Sequence, residues 1–141
     1  MGISKASASW QGGFKDGKGT MKGAHTPEVG FSAGTRFEGQ PGSNPEELIG
    51  AALAGCFSMA LSVGLGTAGF PPKSIDTSAD VTLERGEGGF SITSIALTTK
   101  AVVPGIDAAR FAQVAEETKK GCPVSKALAG TKINLTASVT G

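Results

Sequence analysis

Residues 48–66 read LIGAALAGCFSMALSVGLG, nineteen in succession without a charged side chain. Such a run needs apolar surroundings, so it either crosses a membrane or fills the middle of a soluble core. It is rich in Gly, Ala and Ser, and no Lys or Arg stands beside its start, which favours the buried soluble helix. Small side chains also let another helix approach closely. The preceding residues supply the helix start: Pro45 suits the first helical position, Asn44 caps it, and Glu47 completes a capping box. A register capped by Ser43 with Glu46 is the alternative. Pro at the first position favours Asn44 and leaves Glu46 available for another task.

Around this helix the chain reads as one α+β domain, residues 1–141. Residues 4–12, 17–23 and 28–37 read as three strands, the last carrying Arg36. Residues 74–89 and 90–103 form two more strands joined by a Gly-rich hairpin. A second helix follows, with Asp107 as its cap, Gly121 as its stop and an apolar stripe of Phe111, Val114, Ala115 and Thr118. A short third helix begins near Pro123. In the last segment Ile133, Leu135, Ala137 and Val139 alternate as a half-buried strand.

The formal net charge is +1, with 39% hydrophobic and 18% charged residues, which gives no reason to expect a nucleic acid or acidic partner. The N-terminal residues contain no apolar stretch long enough for a signal peptide, so a cytoplasmic protein is expected. In that compartment two cysteines are two buried thiols or a redox couple rather than a secreted disulfide framework.

The chemistry is narrowed first by what is missing. His25 is the sole histidine and lies in a loop-like stretch, so no base is positioned for a cysteine hydrolase. Two Cys and one His make no closed metal set, and no Gly-rich phosphate loop follows a strand; no cofactor is expected. Cys56 falls deep in the apolar helix, where burial raises a thiol pKa unless a cation stabilises the thiolate. The helix N-terminus is roughly 18 Å away along the axis, too far to help. Cys122 follows Lys119, Lys120 and Gly121 and precedes Pro123, a setting that lowers a thiol pKa. Taken alone, these contexts nominate Cys122 as the nucleophile and leave Cys56 an ordinary core cysteine. The residues by themselves do not settle the order.

The segments NPEELIGAALAGCFSMAL, TRFEG, GFPPKSID, VPGID and KKGCPVS, in this order and spacing, resemble the osmotically inducible protein C (OsmC) family. That family shares a superfamily with the organic hydroperoxide resistance (Ohr) proteins. The resemblance covers nearly the whole chain, and TRFEG is more similar to the OsmC branch. It implies antiparallel sheets around a long buried central helix in an intertwined homodimer. It implies a thiol peroxidase for organic hydroperoxides, acting in oxidative or osmotic stress defence. In that role Cys56 is the peroxidatic residue, Cys122 the resolving one, Arg36 the thiolate's cation and Glu46 the group that holds Arg36. A dithiol, such as a lipoylated protein, regenerates the thiols. Arg suits this place because it stays protonated and its planar fork faces a thiolate and a carboxylate together.

Glu46 and Cys56 lie ten residues apart on one helix, about 15 Å along its axis, too far for one arginine to touch both. Two antiparallel copies of the helix bring Glu46 of one chain to Cys56 of the other, so the expected homodimer shares its active sites. Apolar surroundings favour alkyl or fatty-acid hydroperoxides over hydrogen peroxide; Phe57, Met59 and Leu61 are candidates to line such a pocket, although core packing is the expected role for most of them. Two rival readings remain: a redox sensor that shares every motif but does not turn over, and a small cysteine hydrolase using His25.

Overall fold

The computed structural model describes residues 2–141, and the chain divides into two compact units, Met1–Glu47 and Leu48–Gly141. The first unit begins with an antiparallel three-stranded sheet, β1 (Ala6–Gln11), β2 (Lys18–Gly23) and β3 (Val29–Phe31), in that order. A short helix α1 (Ala33–Phe37) follows where the sequence predicts more strand, and it carries Arg36. Its cause is local. The Ser32 side chain accepts from Thr35 N at 3.2 Å while the Thr35 hydroxyl accepts from Ser32 N at 2.9 Å, a reciprocal cap that turns the chain into a helix at once. Gly39, at φ 68°, supplies the left-handed turn just beyond its end.

Helix α2 (Pro45–Thr67) begins as the sequence predicts, with Asn44 Oδ1 accepting from Glu47 N at 2.9 Å. The reciprocal half of the box differs: the Glu47 carboxylate takes the Ser43 hydroxyl instead, at 3.2 Å. By length and composition α2 is apolar enough to cross a membrane. One stripe of it, however, is sealed in protein: Leu53, Phe57, Leu61 and Leu65 have no exposed surface. The i, i+4 spacing of these four puts them on one face. The opposite face is open, with Met59 73% and Val63 65% exposed. Within one chain the helix is therefore buried along a stripe, not all round.

In the second unit, β4 (Ser74–Gly86) and β5 (Gly89–Val102) form the long hairpin, followed by α3 (Ala108–Gly121), α4 (Pro123–Ala127) and β6 (Lys132–Thr140). The sheet order is β4-β5-β6. β4 and β5 are antiparallel, but β6 lies parallel to β5, so this sheet is mixed where antiparallel sheets were expected. The connection through α3 and α4 is long enough for a parallel return, which a tight hairpin is not. Asp107 caps α3, accepting from Arg110 N at 2.7 Å, and Phe111, Val114, Ala115 and Thr118 are its buried face. Phe111, Val114 and Ala115 join the α2 stripe, Ile95, Leu97 and Ala101 of β5, and Val103 just beyond it in one apolar core that also contains Cys122. Each large side chain buried there contributes about 1.5–3 kcal/mol.

Candidate active site

The two cysteines come from different elements of the second unit and meet inside it. Cys56 sits mid-way along α2; Cys122 lies between α3 and α4, where Pro123 breaks the hydrogen-bond ladder and starts the new helix. Their Sγ atoms are 2.8 Å apart, both as thiols. Cys122 is 1% exposed and belongs to the core, whereas Cys56 is partly open.

Their ionisation is uneven. Burial pushes the Cys56 thiol up, and the Cys122 sulfur beside it pushes it further. Burial also opposes ionisation of Cys122. There, hydrogen bonds from the Cys56 thiol, the Ser125 amide and hydroxyl and the Val124 amide outweigh it and hold the thiol below its ordinary value. Ser125 Oγ is buried and has no partner other than the Cys122 sulfur. Either sulfur can donate across the 2.8 Å contact. The surrounding donors favour Cys122 as the acceptor and hold its thiol below the ordinary value, while burial holds Cys56 above it. A thiolate at Cys56 requires a cation from elsewhere.

The first unit holds an arginine in a fixed pose. Arg36 Nε donates to Glu46 Oε1 at 2.8 Å and to Oε2 at 3.3 Å. Glu46 is 6% exposed, in the first turn of α2, and Asn44 Nδ2 reaches the Thr35 carbonyl at 3.5 Å, tying the loop to α1. The guanidinium also lies 5.2 Å from the centre of the Phe37 ring. The four residues singled out from the sequence thus form two pairs, each inside one unit: Cys56 with Cys122, and Arg36 with Glu46.

Phe57 and Leu61 are wholly buried core residues, and Met59 is largely exposed, so these side chains do not form a substrate pocket in the chain. His25 occupies an exposed turn between β2 and β3. Among the described residues no three His, Cys, Asp or Glu side chains are grouped to hold a metal ion. Ser125 is not among the residues singled out from the sequence, although its place three residues after Cys122, at a helix start, was a readable signal.

Residues 37–137 match the family model described as OsmC-like protein. The peroxiredoxin OsmC of Escherichia coli (strain K12) is 53% identical over 126 residues, covering 88% of each chain. Among solved structures, the organic hydroperoxide resistance protein OhrB of Bacillus subtilis superposes with a TM-score of 0.67 at 23% identity, covering 96% of this chain and 98% of that one. An OsmC-like protein from Mycoplasma pneumoniae gives 0.74 at 17% identity, covering 99% of both. The fold is that of the OsmC and Ohr proteins, an α+β fold with a long helix. The chain belongs to the OsmC-like protein family.

Proposed function

We propose that this chain is a cysteine-based peroxidase that reduces organic hydroperoxides to alcohols in defence against peroxide stress, the two units acting together as one peroxidase domain. The observation that carries this reading is the 2.8 Å approach of Cys56 Sγ to Cys122 Sγ. A lone buried thiol is chemically inert, but two in contact make a dithiol that passes to a disulfide without moving the backbone far. The 53% identity to a named peroxiredoxin supports it.

Cys56, the more accessible sulfur, attacks as a thiolate. Its sulfur takes the terminal oxygen of the hydroperoxide, the O–O bond breaks, and the alkoxide leaves as the alcohol after taking a proton. Cys56 is oxidised to the sulfenic acid. Arg36 stabilises the thiolate and the negative charge growing on the leaving oxygen. Cys122, already inclined to ionise, attacks the sulfenic sulfur and expels water, forming the Cys56–Cys122 disulfide and preventing further oxidation. A dithiol reductant, of the kind lipoylated proteins carry, returns both thiols by exchange and leaves as its own disulfide.

Arg36 and Glu46 act from a partner chain in a homodimer. The apolar exposed face of α2 supports this arrangement: Met59 and Val63 would otherwise face water. So does the span of about 15 Å between Glu46 and Cys56 on one helix. The protein works in the cytoplasm, without membrane or nucleic-acid partners.

The test is steady-state reduction of cumene hydroperoxide with dihydrolipoamide, comparing wild type with Cys56→Ser and Cys122→Ser. Neither variant should turn over. Cys122→Ser should still consume about one equivalent of peroxide before stalling as an overoxidised or mixed-disulfide form. Wild-type rates in Cys56→Ser would end the assignment. A wild type that oxidises once and cannot be cycled by dithiols would make the protein a sensor.

A further inference from the structure

A disulfide between Cys56 and Cys122 offers a reductant two sulfurs, and thiol exchange must begin at one of them. The two differ in access. Cys122 is 1% exposed and belongs to the apolar core, whereas Cys56 is partly open. An incoming thiolate approaches the attacked sulfur from the side opposite the bond that breaks, so the attacked sulfur needs open surface. A groove of about 440 Å³ between α2 and α3, lined in part by Ala60, Gly64, Val114, Thr118 and Gly121, does run up to Cys122. Cys122 presents almost no surface to it.

The buried sulfur has a group placed to meet the charge it takes up on leaving. Cys122 is the cap residue of α4, Pro123 is its first helical residue and Ser125 its third. A side chain at the third position folds back toward the cap. Ser125 is 8% exposed, and its Oγ has no partner apart from the Cys122 sulfur. A buried hydroxyl without a partner is destabilising, so this one is best accounted for by a sulfur that carries charge during the cycle. The lysines that precede Cys122 do not serve instead. Lys119 Nζ is taken by Glu116 at 2.8 Å and the Ile133 carbonyl at 3.4 Å, and Lys120 is exposed.

We propose that the reductant's first thiol joins Cys56 rather than Cys122, and that Ser125 Oγ donates to the Cys122 sulfur as that sulfur leaves. The inference rests on the reading of Cys56 and Cys122 as a cycling redox pair. The reductant thiolate attacks Cys56 Sγ, the Cys56–Cys122 bond breaks, and its electron pair goes to Cys122 Sγ. The second reductant thiolate then attacks the reductant sulfur of the mixed disulfide, closes the reductant's own disulfide and releases Cys56. Two electrons pass from the reductant to the protein, and the two cysteines regain their protons from water. Arg36 pulls the other way, since a cation beside Cys56 favours that sulfur as the leaving group. Exchange rates follow thiol acidity only fractionally, whereas a sulfur without open surface is not attacked at all, so access decides.

The experiment oxidises wild type with diamide, adds dihydrolipoamide carrying one S-methyl group, and quenches with acid at successive short times. The capped reagent forms the mixed disulfide but cannot resolve it. Alkylation and peptide mass mapping should place the earliest adduct on Cys56 and the alkyl group on Cys122. An earliest adduct on Cys122, or on neither, overturns the proposal. The role of Ser125 is read from the rate at which uncapped dihydrolipoamide reduces the disulfide, divided by the rate of the first peroxide equivalent. That ratio should fall about tenfold in Ser125→Ala, as for one hydrogen bond to a developing charge, and recover in Ser125→Thr. Equal slowing of both steps would mark Ser125 as structural only and overturn its part. Because diamide makes the disulfide without peroxide, the two readings fail separately. An adduct on Cys56 without cumene hydroperoxide turnover supports the exchange order and overturns the peroxidase; full turnover with the adduct on Cys122 overturns the exchange order alone.

Discussion

Arg36 Nε stands 2.8 Å from one carboxylate oxygen of Glu46 and 3.3 Å from the other, and the glutamate side chain is only 8% exposed. The bond fixes the guanidinium through Nε and leaves its two terminal nitrogens for other partners. Glu46 is thereby a positioning group. It reaches this role because Pro45 and Asn44 start α2 one residue before it.

Replacing Glu46 by Ala should free the arginine without removing its charge. A small loss of alignment at a reacting centre costs up to about a hundredfold in rate, so kcat/KM for cumene hydroperoxide should fall about 10–100-fold. Stability should fall by about 1–2 kcal/mol, as for a hydrogen bond to a charged group that is partly solvated. Glu46→Asp should recover part of the activity. A denaturant melt beside the kinetics checks both numbers, and unaltered kcat/KM in Glu46→Ala would remove Glu46 from the site.

Hydrogen bonds hold the Cys122 thiol below its ordinary value, and the contribution of each donor can be measured. Its pKa is lowered, so folding favours its thiolate. The associated stability is absent at low pH, appears as pH rises through the folded value and is complete above the ordinary thiol value. Ser125→Ala removes one donor and should move the lower step of the ultraviolet thiolate titration upward. Cys56→Ala removes the largest favourable contribution and should move it further. Disulfide formation after peroxide treatment should be slower in Ser125→Ala at neutral pH. A lower step that ignores both substitutions would detach these groups from Cys122.

A chain of hydroxyls links α2 to the sheet. Ser58 Oγ donates to Thr77 Oγ1 at 2.7 Å, which lies 3.0 Å from Thr99 Oγ1, and Thr99 is fully buried. Thr77→Val removes the middle member and strands two partners. The expected cost is about 1–3 kcal/mol by thermal or denaturant unfolding. Thr77→Ser should restore most of it. Adding Thr99→Val to Thr77→Val should cost less than the sum of the single changes, because an orphaned hydroxyl disappears.

Much of this architecture could be read from residues. Asn44–Pro45 and Asp107 announce their helix starts through side-chain chemistry confined to one turn, and the alternation from Ile133 to Val139 survives intact in β6. Where the reading failed, the deciding partner was distant or the signals competed. Alternation within β6 says which face is buried but not whether its neighbour runs parallel. Residues 28–37 show strand-like residues in β3, but the Ser32–Thr35 cap overrides them from position 33 onward. The order of the two thiols was ambiguous for a related reason: the groups that tune Cys122 include Cys56, 66 positions away.

The open face of α2 gives the last prediction. Met59 and Val63 follow each other at i, i+4, with Gly55 and Ala52 continuing the exposed strip toward the N-terminus. Small and apolar residues in that pattern suit the same face of a second helix at close range. A buried lysine in such a contact costs several kcal/mol unless it is paired. Met59→Lys with Val63→Lys should therefore turn the proposed dimer into a monomer by light scattering, while the core stripe of Leu53, Phe57, Leu61 and Leu65 keeps the chain folded. Because Arg36 is assigned to the partner's Cys56, the monomer should lose cumene hydroperoxide turnover by at least about tenfold, the effect of losing one preorganised charge. Its two cysteines, held in one chain, should still join on treatment with a chemical oxidant. A monomer as active as wild type would show that the catalytic arginine does not come from a second subunit.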